Sequence, residues 1–127
     1  MFSIGEVSKK YQLSQDTLRY YERIGLIPPV SRNEGGVRRY TEEDCDWVEF
    51  IKCMRNAGLS IESLIEYVNM FQKGPSTIMN RKQLLIDERE KLVQRINEMK
   101  EVLQRLDGKI DGYEERMLEK EQPISNK

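Results

Sequence analysis

Leu13-Ser14-Gln15-Asp16-Thr17-Leu18-Arg19-Tyr20-Tyr21-Glu22-Arg23-Ile24-Gly25-Leu26-Ile27 is the stretch that decides the fold. Ser14 is a strong N-cap, and Asp16 places an acid in the first turn, where the helix dipole favours it. Gly25 is a natural C′ stop, followed by Pro28. Between them the spacing predicts a helix of about three turns. Leu18, Tyr21 and Ile24 recur at offsets of three and mark an apolar face. Thr17, Arg19, Tyr20 and Arg23 crowd the other side. Guanidinium forks and aromatic hydroxyls suit phosphates and base edges. A short, capped, basic helix with one buried side is suited to a DNA groove.

The segment before it begins with a capping box, Ser3 with Glu6. A first helix is expected from Ile4 to about Lys10, with Ile4 and Val7 inward, and a short turn over 11–13 leads to Ser14. Helix, tight turn, helix is the helix-turn-helix arrangement. After it, Pro28 and Pro29 end the helix, and Asn33 to Gly36 is turn chemistry between two short extended pieces. Arg32, Arg38, Arg39 and Tyr40 line this hairpin. A basic hairpin directly after a recognition helix reads as a wing.

Two further helices follow. Thr41 caps the first, whose stripe is Trp47, Phe50, Ile51, Met54 and Ala57. Ser60 caps the second, with Ile61, Leu64, Ile65, Val68 and Phe71 inward. Gly58 separates them, and Gly74-Pro75 ends the second. From Ser76 to about Glu119 one long helix is expected. Leu92, Met99, Leu106 and Tyr113 recur every seven residues, and Ile96, Leu103, Ile110 and Met117 form the offset series. This seam runs about four heptads. Gly108 and Gly112 fall off it. Such a seam cannot be buried by one copy, so it predicts a homodimer. The fold is therefore mainly α: a winged helix-turn-helix over 1–74, a coiled-coil dimerisation helix over 75–120, and a disordered tail over 121–127.

The 127 residues carry a net charge of −1, with 34% charged and 38% hydrophobic residues. That composition suits a small domain with a long exposed helix. The charge is unevenly placed. Residues 1–40 hold seven Lys/Arg against four Asp/Glu, and the remainder fourteen against eighteen. The basic surplus coincides with the DNA-reading stretch. No histidine is present, which removes the commonest general base and a frequent metal ligand. With no glycine-rich phosphate loop and no clustered carboxylates, no catalytic constellation is visible, and no cofactor is expected. No apolar run approaches the ~18 residues of a membrane span, and no signal peptide is visible, so a cytoplasmic location is expected.

These residues resemble the MerR family of bacterial transcription regulators. Phe2-Ser3-Ile4-Gly5-Glu6-Val7 is similar to its first helix. Thr17-Leu18-Arg19-Tyr20-Tyr21-Glu22 with Gly25-Leu26-Ile27 is similar to its recognition helix, and Arg38-Arg39-Tyr40-Thr41 to the end of its wing. Gly58-Leu59-Ser60-Ile61 resembles the start of its fourth helix, and the heptad helix its antiparallel dimer coiled coil. The resemblance implies a homodimer on double-stranded promoter DNA that kinks and untwists an over-long spacer so that RNA polymerase engages both promoter elements. It also implies a DNA-binding set of Ser14, Thr17, Arg19, Tyr20, Tyr21, Arg38, Arg39 and Tyr40. Arg23 belongs to this set or pairs with an acid such as Glu22.

The effector reading rests on two cysteines. Cys45 and Cys53 stand about 12 Å apart along one helix, too far to share an ion or a disulfide. No cysteine follows Cys53, so no metal site is expected. Ile51-Lys52-Cys53-Met54-Arg55-Asn56-Ala57-Gly58-Leu59-Ser60 resembles the branch of the family that responds to aldehydes and other electrophiles, which implies Cys53 as the sensor. Lys52 and Arg55 adjoin it, and cations favour a thiolate. The alternative for Cys53 is a small buried hydrophobe. For the whole chain it is a coiled-coil interaction module without specific DNA binding.

Overall fold

The computed structural model describes residues 1–121. The chain divides into two compact units, Met1–Leu92 and a second that begins at Val93. In the first, α1 (Ile4–Tyr11), α2 (Gln15–Arg23), strands β1 (Ser31–Arg32) and β2 (Arg38–Arg39), α3 (Glu42–Asn56) and α4 (Ile61–Lys73) follow in order. A 3₁₀ turn, Pro75–Thr77, leads into α5 (Ile78–Ile110), and α6 (Tyr113–Lys120) closes the described chain.

The starts of α1, α2, α3 and α4 are each fixed by a side chain. Ser3 with Glu6 and Thr41 with Asp44 form reciprocal capping boxes, while Ser14 and Ser60 accept from the backbone N–H three residues on. The turn of the helix-turn-helix is closed by Gln12, a non-glycine residue at φ +55° whose backbone N–H donates to the Ser8 carbonyl. Gly25, at φ +84°, lets the chain fold back so that Leu26 and Ile27 enter the core behind α2. A side chain at that φ would be strained.

The hairpin pairs Ser31 with Arg39 and Arg32 with Arg38, antiparallel. Asn33 Oδ1 accepts from the backbone N–H groups of Gly35 and Val37, which closes the loop. Phe2 pairs with Tyr40 through two backbone hydrogen bonds of 2.8 Å, which ties the N-terminus to the returning strand. The core gathers Val7, Leu18, Val48, Ile51, Leu64 and Val68, all at most 1% exposed. Trp47, Phe50, Tyr67 and Phe71 stack between α3 and α4 with ring centroids 5.0–6.0 Å apart. Thr77 and Glu88 are buried polar groups that the periodicity does not announce. Thr77 Oγ1 donates toward the Met70 and Gly74 carbonyls, and Glu88 accepts from Ser63 and Lys91.

The expected unbroken helix from Ser76 to Glu119 is interrupted. It starts as a 3₁₀ turn, stops at Ile110, and resumes at Tyr113 after Gly112, which adopts φ +67°. Arg116 then donates to the carbonyls of Gly108, Lys109 and Asp111, groups that a helix end leaves without partners. Ile96, Met99, Leu103, Leu106 and Ile110 line α5 with their side chains exposed, Leu92 is half-buried, and Tyr113 and Met117 lie on α6 beyond the break. Of the expected tail, Glu121 follows α6, and residues 122–127 lie outside the described chain.

Gly112→Ala places a Cβ 3.3 Å from Arg116 Nη1 in a left-handed backbone. It is expected to lower stability by about 1 kcal/mol and to reduce the melting temperature. A gain in helicity and melting temperature would show instead that α5 and α6 prefer to be continuous.

Candidate nucleic-acid interface

The side of α2 away from the core carries the charged residues picked out from the sequence. Leu18 (0% exposed) and Tyr21 (7%) turn one side of the helix inward. Arg19 and Tyr20 lie on the opposite side. The Arg19 side chain is 42% exposed and is held by Asp16 Oδ1 at 2.9 Å and Gln15 Oε1 at 3.3 Å. Arg23 sits over the Tyr20 ring, 5.5 Å from its centroid, a cation–π contact on the open surface. Arg23 therefore does not pair with Glu22, which is engaged elsewhere. Ser14 Oγ caps α2 through the Thr17 N–H and shares a 2.8 Å hydrogen bond with Thr17 Oγ1, so both hydroxyls lie at the helix N-terminus.

Two tyrosines of the expected DNA-binding set are corrected. Tyr40 is fully buried and Tyr21 nearly so, and both belong to the core. Desolvation pushes both hydroxyls above the ordinary tyrosine pKa. Among the described residues the Tyr40 hydroxyl has no hydrogen-bond partner. Each ring supplies apolar area to the domain while its chain neighbours, Tyr20 and Arg39, remain accessible.

Arg38 is half-buried and tied back to the recognition helix. Its Nε donates to Glu22 Oε1 at 2.7 Å, and Glu22 Oε2 accepts from the Val30 N–H at 2.9 Å. Burial raises the Glu22 pKa, but the hydrogen bonds from Arg38 and Val30, with the charges of Arg38 and Arg32, outweigh it, and the carboxyl ends below its ordinary 4.5. Arg19, Arg23, Arg32 and Arg38 surround a depression of about 390 Å³ between helix and wing, with Glu22 and Pro29 completing it. Four guanidinium groups around one carboxylate make an anion-attracting surface. Glu22 and Arg32 were not in the expected set. The signal for Glu22 was present: a carboxylate in the last turn of α2, where the dipole disfavours it.

The two cysteines separate by exposure. Cys45 is 3% exposed, and burial pushes its thiol pKa up. Cys53 is exposed. Lys52 and Arg55 are committed to backbone carbonyls, of Tyr11 and Leu59 respectively.

Residues 2–70 match the MerR HTH family regulatory protein family, and residues 45–109 match the MerR DNA-binding family. The chain belongs to the MerR family. It is 58% identical over 92 residues to the HTH-type transcriptional regulator AdhR of Bacillus subtilis, a match that spans 72% of this chain and 66% of that protein. A MerR family transcriptional regulator from Listeria monocytogenes superposes with a TM-score of 0.88 at 47% identity, over 99% of this chain and 96% of that one. HiNmlR, a MerR family regulator lacking the sensor domain and solved bound to promoter DNA, superposes with a TM-score of 0.81 at 30% identity, over 90% of each chain. The winged helix-turn-helix followed by a long helix is thus that of MerR regulators, and the protein is a sequence-specific DNA-binding regulator rather than an enzyme. Among the described residues no helix is long and apolar enough to cross a membrane, and no group of three His, Cys, Asp or Glu is placed to hold a metal.

Glu22, with a depressed carboxyl pKa in the folded state, stabilises the fold above its ordinary value of 4.5, and that contribution is lost as pH falls through the lower folded value. The wild type is therefore expected to lose more stability than Glu22→Gln on acidification below 4.5, read as denaturant midpoint against pH. Parallel curves for the two proteins would show that the Glu22 carboxylate is not stabilised in the fold.

Proposed function

We propose that this MerR regulator acts as a homodimer on promoter DNA, distorting the spacer to control access by RNA polymerase, and that it responds to thiol-reactive electrophiles such as aldehydes through Cys53. In this reading Arg19, Tyr20 and Arg23 face the major groove and its phosphates, with Ser14 and Thr17 at the N-terminal end of the helix, and Arg38 and Arg39 hold the flanking backbone. The unpartnered apolar residues of α5, Ile96 through Ile110, form an antiparallel seam with a second copy.

The observation that carries the effector reading is the contrast between the two thiols. A reagent in solution reaches Cys53, whereas Cys45 is enclosed by the core. Aldehyde addition forms a bond from sulfur to the carbonyl carbon, and the carbonyl oxygen takes a proton to give a thiohemiacetal. Because Cys53 is exposed on the single chain, the added group enlarges the outer side of α3, where it can crowd a neighbouring surface of the dimer, and does not enter the core. Overpacking at such a border is worth about 1–3 kcal/mol, the scale of allosteric coupling energies.

Cys53→Ser is expected to fold, dimerise and bind the operator, yet fail to raise transcription when aldehyde is added to a reconstituted promoter, while Cys45→Ser responds as wild type. Induction of Cys53→Ser equal to wild type would remove Cys53 as the sensor and leave the DNA-binding reading standing.

A further inference from the structure

Glu22 is a puzzling residue for a DNA-facing surface. It lies in the last turn of α2, the end of the helix dipole that repels an acid. Its side chain is only 14% exposed, so it has also given up most of its hydration. It contributes negative charge to a depression otherwise lined by four arginines and Pro29. Each of these costs is set against the bonds the carboxylate makes, and both of its oxygens are used. Oε1 takes the Nε–H of Arg38 on β2, and Oε2 takes the backbone N–H of Val30, immediately before β1. One side chain of the recognition helix thus holds β2 and the residue that leads into β1.

The way Arg38 is held matters as much as the fact that it is held. Nε is the inner donor of the guanidinium. Among the described residues the terminal Nη donors of Arg38 make no hydrogen bond. Glu22 therefore fixes the plane of the group and leaves its outer donors for an acceptor in the depression. Phosphate oxygens are the acceptors that a rigid planar fork suits best.

We propose that Glu22 is the positioning residue that sets the wing arginine Arg38 for its contact with the DNA backbone. The proposal rests on the reading that this face meets DNA. It has a sign that simple electrostatics opposes. Removing an acid from a basic surface should strengthen DNA binding by charge alone. Positioning makes the same substitution weaken it. Glutamine is nearly isosteric with glutamate, but only one of the two acceptor positions stays an oxygen, and the other becomes an NH2 that confronts a donor, the Val30 N–H or the Arg38 Nε–H.

The test is operator binding by the full-length protein, followed by fluorescence anisotropy across a range of salt concentrations, for Glu22→Gln, Arg38→Ala and the double variant. Glu22→Gln is expected to weaken binding about tenfold, the scale of one charge-assisted hydrogen bond, and to lower the salt slope by about one released counterion. In the Arg38→Ala background the same change is expected to leave affinity unchanged or to raise it. Glu22→Gln binding as tightly as wild type or tighter, or losses that add in the double variant, would overturn the positioning role while the DNA contact of Arg38 stands. Arg38→Ala with wild-type affinity would overturn that contact, and the proposal with it. Circular dichroism separates loss of contact from loss of fold. If Glu22→Gln does not fold, Arg38→Lys decides: its ammonium, held by Glu22, has no fork left for a phosphate, so it should bind as weakly as Arg38→Ala. Wild-type affinity in Arg38→Lys would overturn the proposal.

Discussion

The burial of Leu18 and Tyr21 is the constraint on which the rest of the basic surface of α2 and the wing depends. A helix this short has few ways to be held, and a fully buried leucine contributes about 1.5–3 kcal/mol only while it stays in the core. Its rotation about its own axis is therefore fixed, and with it the outward direction of Arg19, Tyr20 and Arg23. Neighbouring features follow from the same packing. Gly25 reverses the chain beneath the helix end, Leu26 and Ile27 seal the core there, and the wing begins within reach of Glu22. The basic surface is thus built by what is hidden behind it.

The wing itself is a small structure, two residues per strand, and an isolated hairpin of that size has little stability of its own. It is held at three places. Tyr40 inserts its ring into the core, Phe2 pairs with Tyr40 from the N-terminal side, and Glu22 bonds β2 and the residue before β1 from α2. Each anchor joins the wing to a different segment. That arrangement lets a compact domain present a helix and a wing as one surface. It also places α3, capped by Thr41, directly after the wing.

Much of this was legible because it is written in local chemistry. Ser3, Ser14, Thr41 and Ser60 cap helices where their side chains predict, and Leu18, Ile51, Leu64 and Val68 occupy the expected inward faces. What escaped is ambiguous in one dimension. Tyrosine suits both a groove and a core, and only the packing shows that Tyr20 faces out while Tyr21 and Tyr40 are buried. The heptad series continues smoothly through Tyr113 and Met117, yet the backbone breaks at Gly112 because a left-handed glycine and the Arg116 cap compete with helix continuation. Glu22 with Arg38 is a contact across sixteen residues, and Ser63 with Glu88 one across twenty-five, and no periodicity reports those.

The central claim is that two copies of this surface read promoter DNA together, one on each half-site, and strain the DNA between them. Hydroxyl-radical footprinting of the full-length protein on a promoter fragment selected from its own genome tests this directly. The expected pattern is two protected segments related by a two-fold axis, each flanked by a backbone contact from the wing, with altered cleavage at the uncontacted centre. A single protected half-site, or uniform protection indifferent to sequence, would contradict the account.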